Sequence, residues 1–248
     1  MKNSKILFSI DVEPDLHTHE YQGIYLGLKK AEAIFSEYKI KPILFVTADC
    51  LAKYPKMFLS LRKKGWEISF HGLTHRRFDS LSFKEKELEF SKSLKIFSKF
   101  KLKPKGFRAP QHSLDQETLT LLEKYNFEYD SSYTPLNLLQ LVFFPKKFGL
   151  WIKNFLSPRK PWRLSSKLVE KPTSSFLLPF TSLTLRILPR FLMYLYLRFI
   201  KLLYVKPVFY CHSWDFISLP KSRIDRKFPS PVFQSKLKRL LKWNQQKN

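Results

Sequence analysis

Short apolar runs alternate with amphipathic stretches through most of the chain. The runs Ile6 to Ile10, Pro42 to Val46 and Trp66 to Phe70 have the length and continuous apolar character of buried strands. Between them lie stretches with the period of an amphipathic helix, such as Leu26 to Tyr38 and Lys84 to Phe97. This alternation predicts consecutive βαβ units, and therefore a mainly parallel sheet.

The other predicted elements continue the same alternation. Further strands are predicted at Gly106 to Arg108, Phe127 to Tyr129, Leu168 to Glu170 and Val208 to Tyr210, and further helices at Met57 to Lys64, Glu117 to Tyr125, Ile187 to Tyr204 and Val232 to Trp243. Polar clusters follow at least four of these strands, as they do in barrel active sites, whereas an open doubly wound sheet usually supplies a Gly-rich turn that this chain lacks. The pattern therefore predicts one α/β barrel domain spanning residues 1–248.

The strongest chemical signal is a histidine pair, His71 and His75, directly after the run Trp66 to Phe70. Two imidazoles at this spacing lie on one face of a helix, or close on one ion from a tight loop, and an acidic oxygen would complete a three-ligand metal site. Asp11 and Glu13 follow the first strand and share one face of it. The alternatives are surface or capping histidines and an ordinary acidic pair at a strand end.

Two further polar groups stand at strand ends. Arg108 follows a short predicted strand, and an exposed loop arginine is the alternative interpretation. His212 follows Val208 to Tyr210, with Asp215 three residues later, so the carboxylate could stabilise a protonated imidazole acting as a general acid. A core histidine with a hydrogen-bond partner is the alternative there.

The charge of the chain favours a polyanionic partner. Its 248 residues include 45 lysines and arginines against 20 aspartates and glutamates, a formal net charge of +25. Nucleic acid and an anionic membrane are the candidate partners, and a generally solvated basic surface is the alternative. No zinc-finger, RNA-recognition or glycine-rich signature is present, which argues against nucleic acid.

The segment from Leu139 to Val205 interleaves basic and aromatic residues, including Trp151 and Trp162. Such a composition suits the interface of an anionic bilayer, while a core helix covering the barrel is the alternative for Phe191 to Tyr204. The two cysteines, Cys50 and Cys211, are too few for a disulfide framework, and no secretory signal is recognised. We therefore expect a cytoplasmic protein, peripheral to the inner membrane face.

These motifs, in this order, resemble those of the polysaccharide deacetylase family, also known as carbohydrate esterase family 4 or the NodB homology domain. The resemblance rests on Asp11-Val12-Glu13, His71-x-x-x-His75, Arg108-x-Pro110 and the strand that leads to His212. It spans roughly Leu7 to Trp214 and is nearest to a branch whose first motif is Asp-Val-Glu. It implies a distorted (β/α)7 barrel.

The resemblance also implies a role for each matching residue. Asp11 would be the general base, with Arg108 orienting it and His212 acting as the general acid. Glu13, His71 and His75 would bind one divalent metal ion, with zinc expected and cobalt, manganese or nickel as alternatives. The backbone N–H of Gln111 would stabilise the oxyanion, and Asp215 would substitute for the carboxylate that tunes the acid in many relatives. His17 or His19 could also reach the ion.

The activity implied is removal of an N-acetyl group from an amino sugar, in a glycan or a lipid-linked sugar precursor. Hydrolysis of a non-sugar linear or cyclic amide is the alternative reaction. A basic nucleic-acid-binding or membrane-binding protein without turnover is the alternative of another class.

Overall fold

A computed structural model describes residues 5–16, 18–139 and 148–246 of the chain. Ten strands are present in these ranges: β1 Leu7–Val12, β2 Ile43–Val46, β3 Glu67–Phe70, β4 Gly106–Phe107, β5 Tyr129–Asp130, β6 Trp162–Arg163, β7 Val169–Glu170, β8 Ser175–Phe176, β9 Leu178–Pro179 and β10 Val208–His212. The helices are Leu28–Glu37, Ala48–Lys53, Pro55–Lys63, Phe83–Lys99, Gln116–Lys124, Phe148–Phe155, Ser182–Ile187, Arg190–Leu203, Arg223–Lys227 and Ser230–Gln246.

Eight strands form one sheet in the order β10-β1-β2-β3-β4-β5-β7-β6. All neighbours pair in parallel except β6, which runs antiparallel to β7 at one edge. Seven parallel strands with helices between them make the distorted (β/α)7 barrel that the sequence predicts. Strands β8 and β9 form a separate antiparallel pair.

Alternate residues of the strands serve two different cores. Phe8, Ile10 and Val12 of β1 face the helices and belong to the main apolar core. Leu7 faces the other way and packs with a small apolar cluster that includes Phe45 and Tyr129. Because successive side chains of a strand point to opposite faces, the residues Ser9 and Asp11 share the face of Leu7 and lie in the barrel interior.

Local sequence signals explain several helix starts. Ser82 and Glu85 form a reciprocal capping box at the start of Phe83–Lys99, and the Asp115 carboxylate accepts the Thr118 N–H at the start of Gln116–Lys124. The predicted helix from Ile187 to Tyr204 corresponds to Arg190–Leu203, while the short helix Ser182–Ile187 before it was not predicted. A proline cannot continue an existing helix but is accepted where the next one begins, so Pro189 separates the two helices.

Within the described residues, we find no helix with the length and apolar content needed to cross a bilayer.

Candidate metal centre and active site

The predicted site residues come from neighbouring strands at the same end of the barrel. β10, β1 and β2 are adjacent, with Asp11 paired to His212 on one side and to Phe45 on the other. β3 and β4 follow next in the sheet, and they lead into His71 and Arg108. Since all five strands are parallel, their carboxyl ends meet at one edge and bring these side chains together.

Glu13, His71 and His75 form the candidate metal centre. One ligand atom from each lies within 4.8 Å of the others. The histidine pair lies in a tight loop after β3 and not on a helix, and the backbone there turns through positive φ at Gly72 (86°) and at His75 (63°). A Cβ on Gly72 would come within 3.2 Å of Pro110 and 3.3 Å of Phe78, so the close approach of these loops also favours glycine.

The hydrogen bond of His71 leaves one ring nitrogen free for the centre. Nδ1 of His71 lies 2.7 Å from the Arg108 carbonyl oxygen, which can only accept, so Nδ1 carries the proton. Nε2 of His71 then faces Glu13 Oε2 at 3.8 Å with a lone pair. Burial, together with the neighbouring His75, lowers the pKa of His71 to about 3, which keeps the imidazole neutral as a metal ligand requires.

Glu13 supplies the negative charge of the centre. Burial alone would raise its pKa, but His75, which forms an ion pair with it, and the other two imidazoles hold that pKa below the usual range. Glu13 Oε2 is buried, and both His75 Nε2, which pairs with it, and His71 Nε2 face it. Two imidazoles and one carboxylate that converge on a buried point fit a divalent ion of the zinc type.

The other candidate ligands near Glu13 do not join this group in the described part of the chain. His19 is exposed and is not one of the converging residues, and His17 lies outside the described residues.

Asp11 is held by a fully buried arginine. Arg108 Nη1 donates to Asp11 Oδ1 at 2.6 Å and to Ser9 Oγ at 3.0 Å. The opposite side of the guanidinium donates to Ser131, through Nε to the carbonyl at 3.0 Å and through Nη2 to the hydroxyl at 3.1 Å. The Arg108 guanidinium also stacks over the Phe45 ring at 4.2 Å. These contacts fix the orientation of the Asp11 carboxylate.

His212 faces the centre from the end of β10. Its Nε2 lies 3.9 Å from Glu13 Oε1, and its Nδ1 lies 3.6 Å from Asp215 Oδ2, a separation typical of an ion pair and too long for a hydrogen bond. The ring stacks on Trp214 at 4.2 Å with 10° between the planes. Burial lowers the pKa of His212, but the Asp215 and Glu13 carboxylates outweigh it and raise that pKa to about 9.

Arg186 supports Asp215 and is not marked by any sequence motif. Its Nη2 donates to Asp215 Oδ1 at 3.1 Å and to the Asp215 carbonyl at 3.0 Å, and its Nη1 donates to Asp225 Oδ1 at 2.7 Å. Burial would raise the pKa of Asp215, yet His212 and Arg186 keep that pKa below its usual value. Asp215 therefore stays ionised beside His212.

Gln111 and His112 make the turn after Arg108, and both have positive φ, 52° and 55°. His112 anchors this turn, since its Nδ1 donates to the Ser132 carbonyl at 2.9 Å and its Nε2 accepts from the Tyr210 hydroxyl at 3.0 Å. Burial, with the nearby Arg108 charge, lowers the pKa of His112 to about 3, so the ring is neutral and can accept. The sequence analysis missed both His112 and Tyr210.

A cavity of about 410 Å³ opens beside His212. Gln111, His112, Tyr210, Trp214, Asp215 and Arg186 contribute to its lining. A bound molecule in this cavity would therefore reach the imidazole of His212 and the turn at Gln111.

Of the two tryptophans predicted to face a membrane, Trp151 is buried and Trp162 is half-buried. Trp151 is buried and donates from Nε1 to the Asn137 carbonyl at 2.9 Å, and Trp162 packs against Tyr133 with ring centroids 5.2 Å apart. Residues 140–147, which include the basic run Lys146-Lys147, lie outside the described ranges. Trp151 therefore packs inside the protein, and the prediction that this segment contacts a membrane stays a prediction.

Fold and site together define a distorted α/β barrel that carries a candidate metal centre at the carboxyl end of its strands. Residues 26–129 match the family model described as polysaccharide deacetylase. A peptidoglycan deacetylase-like protein of Gibberella zeae is 26% identical over 127 residues. That alignment covers 47% of this chain and 38% of the relative, so the chain spans well under half the length of the curated relative that it matches.

Solved structures with the same fold cover nearly the whole chain. A candidate polysaccharide deacetylase from Mycobacterium smegmatis superposes with a TM-score of 0.67 at 16% identity, covering 97% of this chain and 86% of that one. The peptidoglycan N-acetylglucosamine deacetylase Bc1960 gives 0.57 at 13% identity, covering 96% and 81%. A family 4 pseudoenzyme from Bacillus anthracis gives 0.54 at 9% identity, covering 96% and 63%.

The family match over residues 26–129 and the fold both agree with the resemblance identified from the sequence. The resemblance identified from the sequence is thereby confirmed. At these identities the structural likeness establishes the fold alone, and a pseudoenzyme shares it.

Proposed function

We propose that the chain is a metal-dependent hydrolase that removes an N-acetyl group from an amino sugar, within the Asp-Val-Glu branch of its family. The observation that carries the proposal is the convergence of three groups around one point. The candidate ligands Glu13, His71 and His75 lie at the same end of the barrel as Asp11, which Arg108 holds, and His212, whose Nε2 is 3.9 Å from Glu13 Oε1. A base and an acid beside one metal site are the arrangement that amide hydrolysis needs.

When bound by Glu13, His71 and His75, a divalent ion would polarise the acyl carbonyl and lower the pKa of a coordinated water. Asp11 takes the proton of the attacking water, because Arg108 holds the carboxylate in position. The N–H of Gln111 donates to the oxyanion that forms on the acyl carbon. His212 gives a proton to the departing nitrogen, and acetate and a free amine result.

The relatives support an acetylated amino-sugar glycan as the substrate class. One is named as peptidoglycan deacetylase-like and another as a peptidoglycan N-acetylglucosamine deacetylase. We extend this to a glycan or a lipid-linked sugar precursor handled at the inner membrane face. The two cysteines, both buried and unpaired, suit a reducing cytoplasm.

The test combines metal analysis with acetate release. Purified protein is expected to hold about one divalent ion, with zinc the first candidate, and to release acetate from N-acetylglucosamine oligomers or peptidoglycan. His75→Ala should lose the metal and the activity, since two remaining protein ligands hold an ion poorly. His19→Ala is the matched control, because His19 is exposed and outside the centre, and it should keep both.

Three results would contradict parts of the proposal. Full metal occupancy in His75→Ala would reject the ligand set. Turnover of linear or cyclic amides with none of acetylated sugars would favour the non-sugar amide hydrolase. Metal binding with no turnover on either class would favour a member of the family without catalytic activity.

A further inference from the structure

The helix Arg190–Leu203 presents an apolar face to solvent. Tyr196, Leu197 and Ile200 lie on its inner side and are buried. The outer side carries what we call the exposed stripe, consisting of Phe191, Tyr194, Leu195, Arg198 and Leu202. Phe191 is 71% exposed, Leu202 is 73% exposed and Tyr194 is 56% exposed. The helix is therefore apolar on both sides, and packing against the barrel explains only the inner one.

The apolar surface continues beyond the end of this helix. Val205 and Leu156 are both largely exposed and line one shallow cavity together with Arg159 and Lys160. A contiguous exposed apolar surface of this kind marks an interaction site more often than an accident of packing.

Cations surround the exposed stripe without carboxylate partners. Arg198 lies within the stripe, and Arg190 lies at its start, beside a narrow cleft that it shares with Lys236 and Arg239 of the last helix. No carboxylate pairs with Arg190, Arg198 or Arg239 anywhere in the described ranges. The Arg190 charge adds to burial in lowering the pKa of Lys236, so these two cations repel each other. Lys236 Nζ donates to the Arg186 carbonyl at 2.7 Å and to the Leu188 carbonyl at 2.9 Å, which fixes its charge at the cleft. Together the cations favour an anionic partner.

The same cleft has apolar walls. Leu188, Met193, Leu197, Leu240 and Trp243 line it below the three cations. Cations above an apolar groove match a lipid, whose headgroup is charged and whose chains are apolar.

We propose that the exposed stripe and the adjoining cation cluster of Arg190, Lys236 and Arg239 dock on the surface of an anionic lipid bilayer. Phe191, Leu195 and Leu202 enter the boundary between headgroups and acyl chains, while the cations contact lipid phosphates. A second copy of this chain fits poorly, because each copy carries a net charge of +25 and would place Arg198 against Arg198 or its neighbours. Nucleic acid would leave the apolar side chains of the stripe without a role. The inference concerns a surface and does not depend on the deacetylase activity.

Vesicle co-sedimentation tests the proposal with the full chain. Vesicles containing phosphatidylglycerol should bind the protein, vesicles of phosphatidylcholine alone should bind it much more weakly, and added salt should reduce the binding without abolishing it. The triple variant Phe191→Ala, Leu195→Ala, Leu202→Ala should bind at least about tenfold more weakly and lose the component that survives salt. Its control replaces Leu26, Phe83 and Leu88 by alanine, three exposed apolar residues on other helices, and should bind as the wild type does.

A second pair of triple variants tests the cations, and both members of the pair have the same net charge. Arg190→Gln, Arg198→Gln, Arg239→Gln together should weaken binding by about a hundredfold, the factor expected for three cations near an anionic surface. Lys29→Gln, Lys30→Gln, Lys56→Gln remove the same charge from exposed sites elsewhere and should have a much smaller effect.

Several outcomes would overturn the proposal. The first is that the protein does not bind phosphatidylglycerol vesicles at low salt. The second is that each triple variant and its control change vesicle binding equally. The third is that duplex DNA displaces all of the protein from the vesicles while the apolar triple variant binds as the wild type does. A dimer in solution that the apolar variant dissociates, with no vesicle binding, would assign the stripe to a second copy instead. Intact folding of each variant is checked by its thermal unfolding midpoint.

Discussion

Replacing Arg108 by alanine should destabilise the whole protein, because its guanidinium is the partner of a buried carboxylate. Arg108 is fully buried and Asp11 is 3% exposed, and the two are joined at 2.6 Å. Removing one member of such a pair leaves an uncompensated charge away from water, at a cost of about 3–5 kcal/mol. For a domain of this size each kcal/mol lowers the unfolding midpoint by about 2–4 °C, so we expect a fall of about 6–20 °C.

The double variant separates the charge effect from lost packing. In Arg108→Ala with Asp11→Asn, no charge is left without its partner, so the double variant should be more stable than the sum of the two single losses predicts. Residues in direct contact commonly couple by about 0.5–3 kcal/mol. Urea unfolding of the wild type, both single variants and the double variant measures this coupling free energy.

Lys64→Gln is the control for a pair at the surface. Lys64 pairs with Glu32, but the Lys64 side chain is 53% exposed, so its loss should cost about 0–1 kcal/mol. A loss of less than about 1 kcal/mol in Arg108→Ala, or strict additivity in the double variant, would refute the view that this buried pair is a strongly coupled unit.

Three further changes have defined outcomes. Asp11→Asn should keep most of the bound metal and lose turnover by at least about a hundredfold, the lower range for a general base, and equal loss of metal would make Asp11 a ligand instead. Turnover should stay constant while His212 is protonated and should fall as pH rises through the His212 pKa of about 9. Asp215→Asn should move that fall to lower pH, because it removes a carboxylate that raises this pKa. A pH profile that does not move would exclude His212 as the acid. The same raised pKa means that His212 stabilises the fold below its unfolded pKa and that this stabilisation is lost as pH rises through about 9. Gly106→Ala should destabilise the protein by about 1–3 kcal/mol, because its new Cβ would lie within 2.4 Å of Tyr129 atoms. The control is Gly149→Ala, which has no atom within 4 Å of its new Cβ and should be neutral or slightly stabilising. Equal unfolding midpoints of the two variants would show that Tyr129 can move aside.

The sequence predicts the barrel well because its strands are continuous apolar runs. β1, β2 and β3 lie within one or two residues of the predicted runs, since a strand buried on both faces leaves an unambiguous pattern. The helix Ser182–Ile187 was missed, because six residues are too few to show a helical period, whereas the predicted start of the next helix lies within three residues of Arg190. The short β8 and β9 have two residues each and pair with each other across Leu177, so they are too short to carry a strand pattern of their own.

Some residues of the candidate site could also be predicted from the sequence, and others could not. Glu13, His71, Arg108 and His212 could be found because each directly follows a strand, and the fold brings them together. Arg186 and His112 could not, because their partners, Asp215 and Tyr210, lie 29 and 98 positions further along the chain. A contact over such a distance leaves no local signal, and a lone arginine or histidine in a loosely patterned segment predicts nothing by itself.

Arg108 has a mechanical consequence for the catalytic centre. The Arg108 carbonyl accepts a hydrogen bond from His71, and the Arg108 guanidinium donates one to Asp11. One residue therefore positions both a candidate metal ligand and the candidate base. Any thermal displacement of the end of β4 carries both side chains in the same direction. The distance between the candidate base and the candidate ligand therefore changes little when the end of β4 moves.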